Sequence, residues 1–126
     1  MRSVLVLAAL VCTACSQSGK KPRIPNERVV GTWRSDTLPA ADAAGRVHEL
    51  RIAASGRADW DVTYLGKGTI VERGTWDGAD SLVRVVVRRD GVGARSSLLF
   101  VLRDSALVLR PDTANGQAVE VRLLRR

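Results

Sequence analysis

Cysteine is nearly absent from this chain: it has two, Cys12 and Cys15, and nothing after them carries a thiol. The remaining 111 residues can therefore form no internal disulfide and no thiolate metal site. Histidine occurs once, at His48, and no Gly-x-Ser-x-Gly turn occurs, so nucleophilic catalysis lacks its base and its elbow. Aromatic residues make up 4% of the chain, three of them tryptophan. Apolar runs are short as well. Val4 to Val11 falls far below the roughly 20 residues that a membrane helix needs.

What stands at the N-terminus has the three-part plan of an export signal: Arg2, the apolar run Val4 to Val11, then small residues before Cys15. Two cut sites compete there. The ordinary secretory peptidase reads a signal ending Thr13-Ala14, whereas the lipoprotein peptidase cuts before a cysteine. Val11-Cys12-Thr13-Ala14-Cys15 resembles a lipobox, with Cys12 in place of the usual aliphatic residue. The reading preferred is residues 1–14 as a lipoprotein signal peptide, Cys15 as the site of lipid attachment, and residues 15–26 as a polar, basic tether. Diacylglycerol on the sulfur plus an amino-terminal acyl group such as palmitate gives stable attachment where one chain is marginal. Ser16 after the cysteine resembles outer-membrane sorting, which implies a barrel facing the periplasm.

Net charge is +7, and loss of Arg2 with the signal leaves 19 basic against 13 acidic side chains, a net of +6. Outside the cytoplasm the anionic neighbours of such a surface are head groups, lipopolysaccharide phosphates and wall polymers before nucleic acid. A plainer reading is that arginine reflects genome composition and sits on solvated strand faces.

From residue 27 to 126 apolar residues recur with period two in short runs broken by Gly, Asp, Asn and Pro, which is the strand signal. Eight runs follow one another: Arg28 to Arg34, Arg46 to Ala53, Ala58 to Leu65, Thr69 to Trp76, Ser81 to Arg88, Arg95 to Arg103, Ser105 to Arg110 and Gln117 to Leu124. Their phases place Leu50, Ile52, Trp60, Val62, Val85 and Phe100 on one face, and Arg51, Asp59, Asp61 and Arg84 on the other. Val119, Val121 and Leu123 share the inward phase of the last run. Ser55-Gly56, Gly66-Lys67-Gly68, Asp77-Gly78, Asp90-Gly91 and Asn115-Gly116 supply turn chemistry. Eight sequential hairpins leave two exposed edges unless the sheet closes, so the expectation is one all-β domain, a small eight-stranded antiparallel up-and-down barrel of lipocalin-like form.

Four short motifs in order carry a family resemblance: Gly31-Thr32-Trp33, then Leu38-Pro39-Ala40-Ala41-Asp42-Ala43-Ala44-Gly45, then Thr63-Tyr64-Leu65-Gly66-Lys67, then Gly74-Thr75-Trp76. Together they resemble the N-terminal β-barrel domain of the NlpE-type copper-resistance and envelope-stress lipoproteins, over roughly Val29 to Leu109. Ala40 and Ala43 stand where that family has the cysteines of its C-x-x-C, and the expectation is a chain without the family's C-terminal OB-like domain. The resemblance implies the barrel and the lipoprotein habit. It does not imply copper. Gly31-x-Trp33 also resembles the lipocalins, which plug one barrel end with this tryptophan.

The chemistry expected is correspondingly spare: no catalytic residue, no cofactor and no metal. His48, Glu49 and Asp42 are too few for a metal site, and His48, in phase with Leu50, reads more plainly as a hydrogen-bond partner near a barrel mouth. Asp59 and Asp61 share a wet face and read as solvated acids. The function expected is a non-enzymatic, monomeric cell-envelope lipoprotein of NlpE-like type, sensing or binding at the envelope. Its partners would be the membrane through its lipid and an envelope protein, not nucleic acid. The alternative is a lipocalin-like carrier that holds a small apolar ligand between Trp60, Phe100 and neighbouring aliphatics.

Overall fold

In the computed structural model, which describes residues 26–89, 93–110 and 120–126, the alternating runs close into a single antiparallel barrel with every strand beside its sequence neighbours. A one-turn helix, α1 (Asn26–Val29), leads into β1 (Gly31–Ser35), β2 (Arg46–Ile52), β3 (Arg57–Tyr64), β4 (Gly68–Ala79), β5 (Leu82–Arg89), β6 (Arg95–Arg103), β7 (Ala106–Leu109) and β8 (Val121–Arg125). β1 pairs with β2 on one side and β8 on the other, so no strand is left with an unpaired edge. The fold expected from the alternation is the fold present.

Phase sorts the side chains as period two requires. Leu50, Val83, Val85, Phe100, Leu107 and Leu123 are fully buried, whereas Arg51, Arg84, Arg88 and Arg122 on the opposite faces are exposed. Trp60 of β3 meets Phe100 of β6 edge to face, with ring centroids 5.5 Å apart. These strands lie three apart around the wall, so the aromatic contact crosses the barrel interior.

Several boundaries differ from the sequence reading. The first run does not begin as strand at Arg28, because α1 covers its start and Gly31, with φ of 141°, makes the corner. Asp77-Gly78 is not a turn. The ladder continues through Asp77 opposite Arg84 and Gly78 opposite Val83, and the chain reverses after Ala79 at Asp80, whose φ is 57°. Aspartate tolerates that left-handed conformation, so the turn needs no glycine. Ser105 likewise leaves its strand: Asp104 and Ser105, with φ of 49° and 65°, link the paired residues Arg103 and Ala106, as a type I′ hairpin demands. The expected turns Asp90-Gly91 and Asn115-Gly116, and the inward Val119, lie outside the described residues.

The two barrel ends are built differently. At one, where α1 enters and β8 finishes, Trp33 is 1% exposed and its indole N–H donates to the Val29 carbonyl at 2.8 Å. Arg125, directly across the ladder from Trp33, lays its guanidinium 4.7 Å from the centre of that ring. The same guanidinium donates to the carbonyls of Val30 (3.0 Å), Glu27 (3.3 Å) and Arg28. One side chain thus stacks on the plug and satisfies the orphan carbonyls of the short helix above it. At the other end, the mouth, the β1–β2 and β3–β4 connections and the starts of β6 and β8 come together.

Replacing Trp60 by alanine removes both the largest interior contact and the bridge to Phe100, and is expected to cost about 3–5 kcal/mol. Asp61→Ala, which removes a pair to Arg51 at 3.0 Å whose arginine side chain is 44% and whose carboxylate side chain is 15% exposed, should cost no more than about 1 kcal/mol. Denaturant melts of both variants decide this; equal stabilities would put Trp60 outside the core.

Candidate functional site

The mouth is shaped by a flap, residues 36 to 45, between β1 and β2. Pairing of these strands runs to Arg34 opposite Glu49, after which a side chain takes over: Ser35 Oγ accepts from the His48 backbone N–H at 2.9 Å and donates to the Asp36 carbonyl at 2.8 Å. The flap's base is tied by two reciprocal backbone bonds between Leu38 and Arg46, 2.8 and 2.9 Å long. Its far end is fixed to the β3–β4 turn by the Leu65 N–H donating to the Gly45 carbonyl at 2.9 Å. Gly45 is required here, since a Cβ would lie 2.5 Å from the Thr37 methyl group.

Between the flap tip and the β3–β4 turn lies an open cleft of about 580 Å³. Ala40 to Ala43 form one side, and Arg46, Tyr64, Lys67, Thr69 and Ile70 the other. That volume is in the range of small-molecule sites, roughly 300–1,000 Å³. The lining is mixed, with the alanines and Ile70 as its apolar part and two cations, a phenol and the Asp42 carboxylate as its polar part. The segment from Leu38 to Gly45 therefore builds one side of the cleft, and Ala40 and Ala43 are part of its lining.

His48 lies one inward position deeper than Arg46 on β2 and is 7% exposed. It departs from the expectation of a hydrogen-bonded histidine: neither ring nitrogen has a hydrogen-bond partner among the described residues. Its company is the Trp60 ring, 5.0 Å away and tilted by 35°. The register explains this, because His48 sits opposite Val62 with Trp60 and Tyr64 as its diagonal neighbours. Burial, with the Arg46 charge beside it, lowers the imidazole from its ordinary 6.5 to about 4, so the ring is neutral at pH 7.

The other candidates separate. Asp59 and Asp61 do share the outer face, flanked by Arg51, Arg57 and Arg73. Trp60 and Phe100, between which the carrier alternative places an apolar ligand, meet edge to face. Trp76 is half-buried and its indole N–H donates to the Ala53 carbonyl at 2.7 Å, bracing the β2–β3 turn. No group of three His, Cys, Asp or Glu converges among the described residues. Cys15 lies outside them.

No protein-family model matches the chain, and no curated protein does. Among solved structures the barrel is similar to a lipoprotein, YedD, from Klebsiella pneumoniae subsp. pneumoniae, with a TM-score of 0.57 over 85% of this chain and 78% of that one. What the two share is the fold. At 13% identity their superposition aligns backbones and says nothing of the cleft.

Sequence reasoning passed over Arg125 and Arg46. Both stand in the inward phase of their strands, two after Leu123 and two before His48, and a cation in that phase at a strand end is the signal that marks each mouth of a barrel. The single histidine gives a direct test of the interior. Because its folded pKa lies below the unfolded one, the unfolded chain binds the extra proton between pH 6.5 and about 4. Stability should be full above pH 6.5 and fall through that window, by on the order of 3 kcal/mol at most. His48→Leu should flatten the pH 6.5 to 5 part of the curve. An NMR titration placing His48 near 6.5 would contradict the burial described.

Proposed function

We propose that this chain is a non-enzymatic, lipid-anchored lipoprotein of the cell envelope, of NlpE-like type without the copper role, which binds or senses at the envelope through the mouth of its barrel. The observation that carries this reading is the export signal ending at Ala14-Cys15, placed directly before an eight-stranded barrel. The likeness of fold to a protein titled a lipoprotein supports it, as do the four motifs from Gly31 to Trp76. Placement at the outer membrane, facing the periplasm, rests on Ser16 following the cysteine.

The reading has a geometric content. From Cys15 to the start of α1 is eleven residues, a reach of at most about 40 Å. The chain enters the barrel at the end plugged by Trp33. A lipid on Cys15 therefore joins the membrane to the plugged end of the barrel, the end opposite the cleft, and leaves the cleft free for a partner in the surrounding space. The carrier alternative, a lipocalin-like holder of a small apolar ligand, is weakened by Trp60 and Phe100 meeting across the interior, and keeps only the shallower, mixed cleft at the mouth.

Intact-mass measurement of protein from its native host tests the anchor. The expected species begins at Cys15 and carries diacylglycerol, in the membrane fraction; an unmodified soluble product as the main form would refute the proposal. The copper role is tested separately. Chelator competition should show that the chain binds Cu(I) no better than its His48→Ala variant, and tight one-to-one binding that vanished with His48 would restore a metal function.

A further inference from the structure

Away from the mouth, one line of charge crosses the outer wall. The registers place Arg51 opposite Asp59, Asp59 opposite Arg73, Arg73 opposite Arg88, and Arg88 opposite Arg95, so five residues form a cross-strand row from β2 to β6. Its first half alternates in sign. Asp59 has Arg57 at 3.5 Å, Arg51 at 3.9 Å and Arg73 at 4.0 Å. The second half does not alternate: Arg73, Arg88 and Arg95 follow one another with no acid between them. Directly opposed residues have Cβ atoms about 4.5–5.5 Å apart, and like charges at that spacing destabilise a sheet. No carboxylate lies within 4.0 Å of Arg88 or Arg95 among the described residues.

The wall is also hollowed there. A Cβ on Gly74 would lie 1.7 Å from the Val86 carbonyl oxygen, so β4 and β5 approach more closely at this point than any side chain permits. The hollow is a cleft of about 240 Å³ whose charged lining is Arg73, Arg88 and Arg95. Two features thus coincide, a repulsive run of three guanidinium groups and a cleft lined by all three of them.

The geometry points to this cleft as a binding site for a phosphate-class oxyanion. Guanidinium groups present paired N–H donors in a planar fork that matches phosphate oxygens. An oxyanion among the three converts their mutual repulsion into attraction, which the neighbouring carboxylate cannot do because Asp59 is already shared by three arginines. The wall differs in this from the mouth, where Asp42 stands among the cations. The anion's source is either free phosphate or the phosphate of a lipid head group. The site does not depend on the lipid at Cys15.

The test uses the full chain with Cys15→Ser, so that no acyl group contributes. Inorganic phosphate, titrated against chloride at constant ionic strength, should saturably shift the side-chain Nε signals of Arg73, Arg88 and Arg95. Arg88→Gln should weaken that binding by about tenfold or more, the loss of one charge-assisted contact, without lowering the melting temperature in chloride. The general stabilisation that phosphate salts give every protein persists in the variant and is not counted. Arg122→Gln, on another part of the wall, should leave the binding unchanged. Cosedimentation with phosphatidylglycerol or phosphatidylcholine vesicles separates the sources: retention on the first, lost with Arg88→Gln, assigns a head group, and phosphate shifts without retention assign the free anion. Silence in both arms, or equal affinity in wild type and Arg88→Gln, overturns the proposal. Should Arg88→Gln fail to fold, Arg95→Gln supplies the same comparison.

Discussion

The pairing of β1 with β8 is the contact on which the rest of this molecule depends. Seven of the eight ladders join strands adjacent in sequence, and they would form in an open sheet as well as in a closed one. Only the β1–β8 ladder turns the sheet into a barrel, removes its two edges and gives the inward residues a common interior. It is three residue pairs long, a modest length for that task. Its reinforcement is concentrated at one pair, Trp33 and Arg125, where the stacked guanidinium adds an interaction worth about 0.5–2 kcal/mol in such settings. The same group binds the carbonyls of the entering segment, so the plug, the seam and the first helix form one unit.

Much of this was legible because alternation is a strong signal when one face is dry and the other wet. The phases of β3 and β5 left no choice of face: a one-residue slip would have put Asp59 and Asp61, or Arg84 and Arg88, inside. The connections were less legible. Glycine pairs mark turns dependably, yet at Asp77-Gly78 the continued ladder outweighed the local preference, and Asp80, Asp104 and Ser105 took up left-handed conformations that composition does not announce. His48 was rightly set on the inner face, but its lack of a hydrogen bond depends on which rings lie diagonally opposite, and that is a property of register. The cleft needed still more: it forms because the flap is tied back by the Leu38–Arg46 and Leu65–Gly45 backbone bonds, a pairing across β1–β2 and β3–β4 that composition does not announce.

Interior and exterior divide the chemistry between them. Inside, the buried polar residues among those described are His48 and Ser35, and the histidine is kept neutral by its surroundings. Outside, arginine dominates, and its arrangement is uneven: between β2 and β4 the acids Asp59 and Asp61 are interleaved with it, whereas along the row Arg73, Arg88 and Arg95 no acid stands between the cations. Genome composition accounts for how much arginine a chain has. It does not account for a consecutive run of it across three strands, beside a glycine whose Cβ would meet the backbone of β5.

The closing seam also sets an order of events. Trp33 and Arg125 are 92 positions apart, while every other ladder joins strands that follow one another directly. A chain made from its N-terminus can build β1 to β7 hairpin by hairpin as it emerges, each step closing a short loop. It cannot seal the barrel until the last few residues arrive. Up to that moment β1 and β7 are bare edges, able to pair with another chain as readily as with their own. The final strand, Val121–Arg125, therefore decides whether the sheet closes on itself or is left with two edges open to other chains, and any change that weakens this strand acts through that step before it acts on anything the finished protein does.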